Sequence, residues 1–296
     1  MTDQRNYDDR DGWIWLDGEL VPWRDARVHV LTHALHYASS VFEGQKAYGG
    51  EIFKLSEHST RLRRSGELLG FEIPWTVDQI DAACREVLTA NGLEDAYMRP
   101  LAWRGSEQMG VSAQRSKIHL AIAAWPWGAY FGEEAVRKGL RLDIARFRRP
   151  APYTAPTGSK ASGLYMICTL SRHQAQAKGY DDALMFDWRG RVAEATGANA
   201  FFVRDGALHT PTPDCFLDGI TRRTVMDLAR RRGIEVVERA IWPEELESFE
   251  QFFLTGSAAE VTPVAEAGPW RFEVGELTLQ LRKDYLDLVN RRLANA

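Results

Sequence analysis

Lys160 lies in the stretch Pro156-Thr157-Gly158-Ser159-Lys160-Ala161-Ser162-Gly163-Leu164-Tyr165, among small residues and followed by a tyrosine. An amine that attacks a carbonyl must be neutral and unhindered, so a lysine crowded by Gly, Ser and Ala rather than by carboxylates suits Schiff-base chemistry. Most lysines are solvated surface charges, and the stretch alone does not decide. Further along, Arg191-Val192-Ala193-Glu194-Ala195-Thr196-Gly197-Ala198-Asn199 offers a single acid. Gly219-Ile220-Thr221-Arg222 opens a helical pattern, and a helix N-terminus turns free N–H groups and a positive dipole end toward an anion. Thr255-Gly256-Ser257-Ala258-Ala259-Glu260 reads by itself as a turn and helix cap. Arg99 stands inside the apolar run Ala96-Tyr97-Met98-Arg99-Pro100-Leu101-Ala102-Trp103, where an arginine needs an anionic partner.

In order and spacing these motifs resemble the branched-chain aminotransferases, class IV (D-alanine aminotransferase-like) enzymes that use pyridoxal 5'-phosphate. The resemblance covers nearly the whole chain. It implies an α/β protein of fold type IV, with a small α+β domain, a larger β-barrel-like α/β domain and the cofactor between them. It maps Lys160 onto the family's Schiff-base lysine, Tyr165 onto the tyrosine near the ring hydroxyl, and Glu194 onto the acid at the pyridine nitrogen, with Asn199 in the cofactor set. A carboxylate there keeps the nitrogen protonated, and the ring can then accept the electrons left when a Cα proton departs. For the phosphate the resemblance points to Arg61 in Glu57-His58-Ser59-Thr60-Arg61-Leu62, to Ile220 and Thr221, and to Ser257 in place of a family threonine. For the substrate it points to Tyr37, Phe42, Gly44, Tyr97, Arg99, Trp127 and Tyr130, with Ala258 and Ala259 as a backbone platform for the α-carboxylate. Ala38 after Tyr37, and Ala195 and Ala198, depart from residues common in the family. The implied reaction exchanges nitrogen between Leu, Ile or Val and 2-oxoglutarate, giving 2-oxo acids and glutamate. The implied assembly is a homodimer or higher homo-oligomer. A D-amino-acid or (R)-amine transaminase and an aminodeoxychorismate lyase share the fold; a catalytically silent binding protein is the alternative outside enzymes.

The elements that must position these residues read as follows. Asp17-Gly18 turns a hairpin, and residues 41–55 form a second one at Gly49-Gly50. A helix over residues 28–37 would put His29, His33 and His36 on one face, with no acidic or cysteine ligand at short range, so no metal site is expected. Ser56 or Ser59 caps the next helix, and an amphipathic helix spans residues 78–91. The strand at 117–125 is almost continuously apolar and should be buried on both faces. Boundaries follow at 1–127 for a small domain, 128–138 for an interdomain loop, and 139–296 for a large domain carrying Lys160. In the large domain, residues 140–147, 183–187, 200–203, 207–210 and 234–239 read as strands, and 164–178, 221–232 and 277–293 as helices.

The chain has 296 residues, 45% hydrophobic and 26% charged, which is enough for two domains and a sizeable core. A net charge of -4 without long runs of one sign gives no reason to expect nucleic acid or a membrane surface. The polar N-terminus does not read as a secretory signal, and Cys84, Cys168 and Cys215 form neither a zinc motif nor a disulfide framework, so a reducing cytoplasm is expected.

Overall fold

Asp17 and Gly18 both adopt positive φ (52° and 114°), which a tight hairpin turn requires, and they join strand Trp13–Leu16 to Glu19–Pro22. The computed structural model describes residues 6–127 and 132–290. Their contacts divide them into two units, residues 1–128 with 159–163, and residues 129–158 with 164–296. The five residues around Lys160, expected with 139–296, therefore group with the first unit.

The first unit is built on an antiparallel sheet of seven strands among the described residues. Its order is Glu19–Pro22, Trp13–Leu16, Ile118–Pro126, Ala96–Arg104, Gln45–Tyr48, Glu51–Ile52, with Ser40–Phe42 also on Ala96–Arg104. The hairpin at Gly49-Gly50 forms as expected, but its first strand breaks at Glu43-Gly44, where the Glu43 N–H turns to the Pro100 carbonyl (2.8 Å). Helices Leu55–Leu68 and Val77–Ala90 pack Leu62, Ile80 and Val87 against Met98, Leu120 and Ile122. Because the helices cover one side, strand Ile118–Pro126 buries Leu120, Ile122 and Ala124 but only half-buries His119, Ala121, Ala123 and Trp125. The expectation of two buried faces fails there.

Neither serine caps the first helix. It starts from Lys54 in the left-handed conformation (φ 54°), and the Ser56 and Ser59 hydroxyls cross to the Asp81 carboxylate of the second helix. Between 28 and 37 only His33–Tyr37 is helical, so the three histidines share no face. His29 Nδ1 accepts from the Leu31 N–H, His36 meets the Val30 carbonyl, and both His33 nitrogens are taken by Ser39 and the Gly110 carbonyl.

In the second unit six strands close on themselves. Val192–Ala195 pairs with both Asp182–Phe186 and Asn199–Arg204, and the ring runs on through Leu140–Ile144, Glu260–Ala267 and Gln251–Gly256. Leu142, Leu184, Phe202, Phe252, Leu254 and Val264 are completely buried in its core. Glu260–Ala267, the longest strand of the ring, reads poorly from sequence because it contains Pro263. Its parallel ladder with Leu140–Ile144 begins only at Val264, so the missing N–H falls at the ladder's end. Helix Ile220–Arg231 ends at Gly233 (φ 74°), Glu276–Val289 forms the last described helix, and Glu133–Lys138 puts a short helix where loop was expected. No helix of the described residues is long and apolar enough to cross a membrane. All three cysteines are free and buried.

Candidate active site

Phe42 ends its strand and takes two cations on its ring: Lys160 Nζ lies 5.0 Å and the Arg99 guanidinium carbon 4.6 Å from the centroid. The Lys160 backbone is held from both sides. Its carbonyl accepts the Phe42 N–H (3.1 Å), its own N–H reaches Ser65 Oγ (3.0 Å), and Ser159 Oγ donates to the Ser65 carbonyl (2.9 Å). The side chain is half-buried. Burial above all, then the charge of Arg61 and, least, that of Arg99, draws its amine down to about 8, against an upward pull from Glu43 and Tyr97. About one such amine in ten is neutral at pH 7, against fewer than about one in a thousand for an ordinary lysine.

Behind Phe42, Arg99 Nη2 donates to the Tyr97 hydroxyl (3.1 Å), whose ring lies 5.1 Å from that of Trp127. That hydroxyl stands only 2.1 Å from where a Cβ on residue 44 would be, so Gly44 is required for Tyr97 to sit there. Among the described residues Arg99 pairs with no carboxylate, and its Nε is buried without a hydrogen-bond partner. Phe42, Tyr97 and Trp127 thus form an aromatic wall beside Gly44, with the Arg99 guanidinium set against it. Tyr37 makes its ring contacts elsewhere, stacked on His33 at 4.6 Å and 44% exposed. Tyr130 lies outside the described residues.

Arg61 grips Glu43 through two parallel bonds, Nε to Oε1 (2.7 Å) and Nη2 to Oε2 (2.8 Å), and His58 Nδ1 meets Oε2 at 2.7 Å. Glu43 is fully buried, and despite the cost of burial the Arg61 charge and the two partners' bonds hold its carboxyl far below the usual range. Burial also lowers His58, more than Glu43 raises it, and a neutral ring that meets a carboxylate through Nδ1 donates from it. Glu43 and His58 were not singled out from sequence. The available signal was the i, i+3 spacing of His58 and Arg61, which puts both on one helix face.

In the second unit Glu194, on Val192–Ala195, lies 3.4 Å from Arg149 Nε and accepts from Asn199 Nδ2 (3.1 Å). Arg149 is buried. Burial opposes its charge, but Glu194 first, and then Cys168 and Tyr165, raise its pKa overall. Arg149 is a third residue missed from sequence, hidden in a Pro-rich stretch that reads as a turn. Asn199 Nδ2 also donates to the Leu217 carbonyl (3.0 Å), and its Oδ1 comes within 2.1 Å of where a Cβ on residue 219 would stand, so Gly219 makes room for it. Gly219 caps helix Ile220–Arg231 with extended backbone and no side-chain bond, so the first N–H groups, at buried Ile220 and Thr221, have no acceptor within the helix. Tyr165 is half-buried and precedes helix Met166–Ala177. Ser257, Ala258 and Ala259 make the reversal between strands Gln251–Gly256 and Glu260–Ala267, with Glu260 at φ 53°; the turn is real, and no helix follows it. Among the described residues one cluster, Asp187, Asp214 and Cys215, has metal-ligand spacing, and both its carboxylates already pair with Arg189 and Arg191.

Residues 40–267 match the family Amino-transferase class IV. The chain belongs to it. Within the class its relatives include branched-chain-amino-acid aminotransferases. That of Pseudomonas aeruginosa is 44% identical over 289 residues, 95% of this chain and 94% of the relative. That of Escherichia coli K12 is 41% identical over 258 residues, 85% and 84% of the two chains. Among solved structures, the branched-chain aminotransferase of the thermophilic archaeon Thermoproteus uzoniensis, with norvaline, superposes with a TM-score of 0.92 at 35% identity, over 96% of this chain and 97% of that one. The Escherichia coli enzyme superposes with a TM-score of 0.93 at 37% identity over 97% of each. The class IV architecture, with its closed barrel, is the one expected from sequence.

Proposed function

We propose that this class IV aminotransferase uses pyridoxal 5'-phosphate to exchange the amino group between branched-chain L-amino acids and 2-oxoglutarate, yielding branched-chain 2-oxo acids and L-glutamate. The residues present fit the cofactor. Lys160 offers an amine already lowered to about 8, Glu194 a carboxylate held by Arg149 and Asn199, and Gly219-Ile220-Thr221 a helix N-terminus lacking a side-chain cap. When bound, pyridoxal phosphate supplies an electron sink for the pair left by the departing Cα proton.

The chain's own residues do the rest. Lys160 would hold the aldehyde carbon until a substrate amine displaces it; its freed Nζ would then carry the proton from Cα. Glu194 would hold the ring nitrogen protonated, and Tyr165 and Asn199 would complete the ring's polar partners. Arg61, the Ile220 and Thr221 N–H groups, the Thr221 hydroxyl and Ser257 would bind phosphate, and Ala258 and Ala259 the substrate α-carboxylate. The aromatic wall of Phe42, Tyr97 and Trp127 would take the aliphatic side chain and exclude water, with Tyr37 and Tyr130 assigned to the same pocket by resemblance.

The observation that carries the substrate class is Arg99: a cation set against an aromatic wall, its buried Nε without a partner among the described residues. Such a wall would accept leucine, and the Arg99 guanidinium would pair with the distal carboxylate of glutamate, which would be prohibitive to bury unpaired. Val28, Val30, Leu31, Leu35 and Tyr37 are all exposed, which supports self-association as a homodimer or higher homo-oligomer. The enzyme would work in the cytoplasm. A steady-state screen of amino donors with 2-oxoglutarate as acceptor tests the reading. Turnover is expected with Leu, Ile and Val, and turnover confined to D-alanine or an (R)-amine would replace it.

A further inference from the structure

Among the described residues, Glu43 is the one carboxylate of the cluster around Lys160 that the proposed chemistry does not use. It is completely buried, forked by Arg61 at 2.7 and 2.8 Å, and met by His58 at 2.7 Å. Its neighbour Phe42 donates to the Lys160 carbonyl, and Ser65, one turn beyond Arg61 on the same helix, accepts the Lys160 N–H. One acid therefore ties the helix carrying Arg61 to the strand that borders the lysine. We propose that Glu43 is a positioning residue for the cofactor phosphate: it fixes the plane of the Arg61 guanidinium so that the edge turned away from the fork meets the anion.

The geometry supports this in two ways. A guanidinium has five N–H donors in a rigid plane, and the fork uses the Nε and Nη2 edge, so the carboxylate dictates where the remaining donors point. His58, neutral and 2% exposed, donates to the same carboxylate and keeps it from turning with the arginine. Charge argues the other way, because without Glu43 the arginine would be more positive toward any anion. Orientation outweighs it: an untethered arginine must give up rotamer entropy on binding that is equivalent to roughly thirtyfold in affinity.

The proposal rests on the assignment of Arg61 to phosphate, and the test separates the two. Cofactor-free protein is titrated with pyridoxal 5'-phosphate and, in parallel, with pyridoxal, which lacks the phosphate. Glu43→Gln keeps the shape and removes the charge. It should raise the Kd for pyridoxal 5'-phosphate roughly tenfold, as loss of a ligand-orienting partner does elsewhere, and leave that for pyridoxal unchanged. Arg61→Ala should show the same selectivity, and adding Glu43→Gln to Arg61→Ala should cost nothing more. Equal losses for both ligands would make Glu43 merely structural, and tighter phosphate binding would make it merely a neutralising charge; either overturns the proposal. If Arg61→Ala itself leaves the phosphate ligand unaffected, the assignment of Arg61 fails, and the role of Glu43 with it. Should Glu43→Gln not fold, Glu43→Asp, which keeps the charge but cannot span the same fork, is read by the same outcomes.

Discussion

Arg99→Ala should divide the two substrates. In the wild type the guanidinium lies 4.6 Å from the Phe42 centroid and gives Nη2 to Tyr97, while Nε has no partner among the described residues. A glutamate or 2-oxoglutarate carboxylate would take two charge-assisted bonds there. Leucine would touch only the flat faces and the arginine stem. Truncating one partner of a buried charge pair costs about 2 to 5 kcal/mol, so kcat/KM for 2-oxoglutarate should fall by roughly thirtyfold to several thousandfold. The leucine half-reaction loses only packing against the stem, worth about 1 kcal/mol, or roughly fivefold. Single-turnover rates of each half-reaction at varied substrate concentration measure both. Equal losses for leucine and 2-oxoglutarate would refute the argument and leave Arg99 a structural brace for Tyr97.

Glu194→Gln should retain cofactor but slow the Cα proton-transfer step, since an amide cannot hold the ring nitrogen protonated; a wild-type single-turnover rate removes Glu194 from that role. Attack on the aldehyde needs the neutral form of Lys160, and burial with Arg61 lowers its pKa to about 8. The rate of cofactor loading should therefore rise with pH up to about 8 and level off above it, and stopped-flow absorbance showing a continued rise toward pH 10 would contradict the lowered value. Gly44→Ala puts a methyl where the Tyr97 hydroxyl stands, 2.1 Å away, and should displace Tyr97 and raise KM for both substrates with little loss of cofactor. An unchanged KM would show that Tyr97 does not shape the pocket.

Local chemistry was legible in the sequence wherever it is stated in consecutive residues. The Asp17-Gly18 turn and the Gly219-Ile220-Thr221 helix start both act through backbone or immediate neighbours. Contacts made across the fold were not. The serines at 56 and 59 look like caps, yet Asp81 on the next helix competes for their hydroxyls more effectively than the backbone does. Arg149 stands among prolines and gains its meaning only when the barrel closes Val192–Ala195 beside it. Glu43 sits between two residues with assigned neighbours, but its fork with Arg61 depends on a helix that begins a dozen residues later. The strand Glu260–Ala267 was masked by Pro263, whose missing N–H is harmless because the parallel ladder starts one residue on.

The central claim is tested most directly by loading the enzyme with pyridoxal 5'-phosphate, adding leucine alone, and following the cofactor absorbance through a single turnover before adding 2-oxoglutarate. Leucine should convert the cofactor from its aldehyde to its amine form with release of the 2-oxo acid. 2-Oxoglutarate should then restore the starting spectrum with one equivalent of glutamate, and Lys160→Ala should do neither at a measurable rate. A spectrum unmoved by leucine, or a Lys160→Ala variant that turns over at the wild-type rate, would contradict the account.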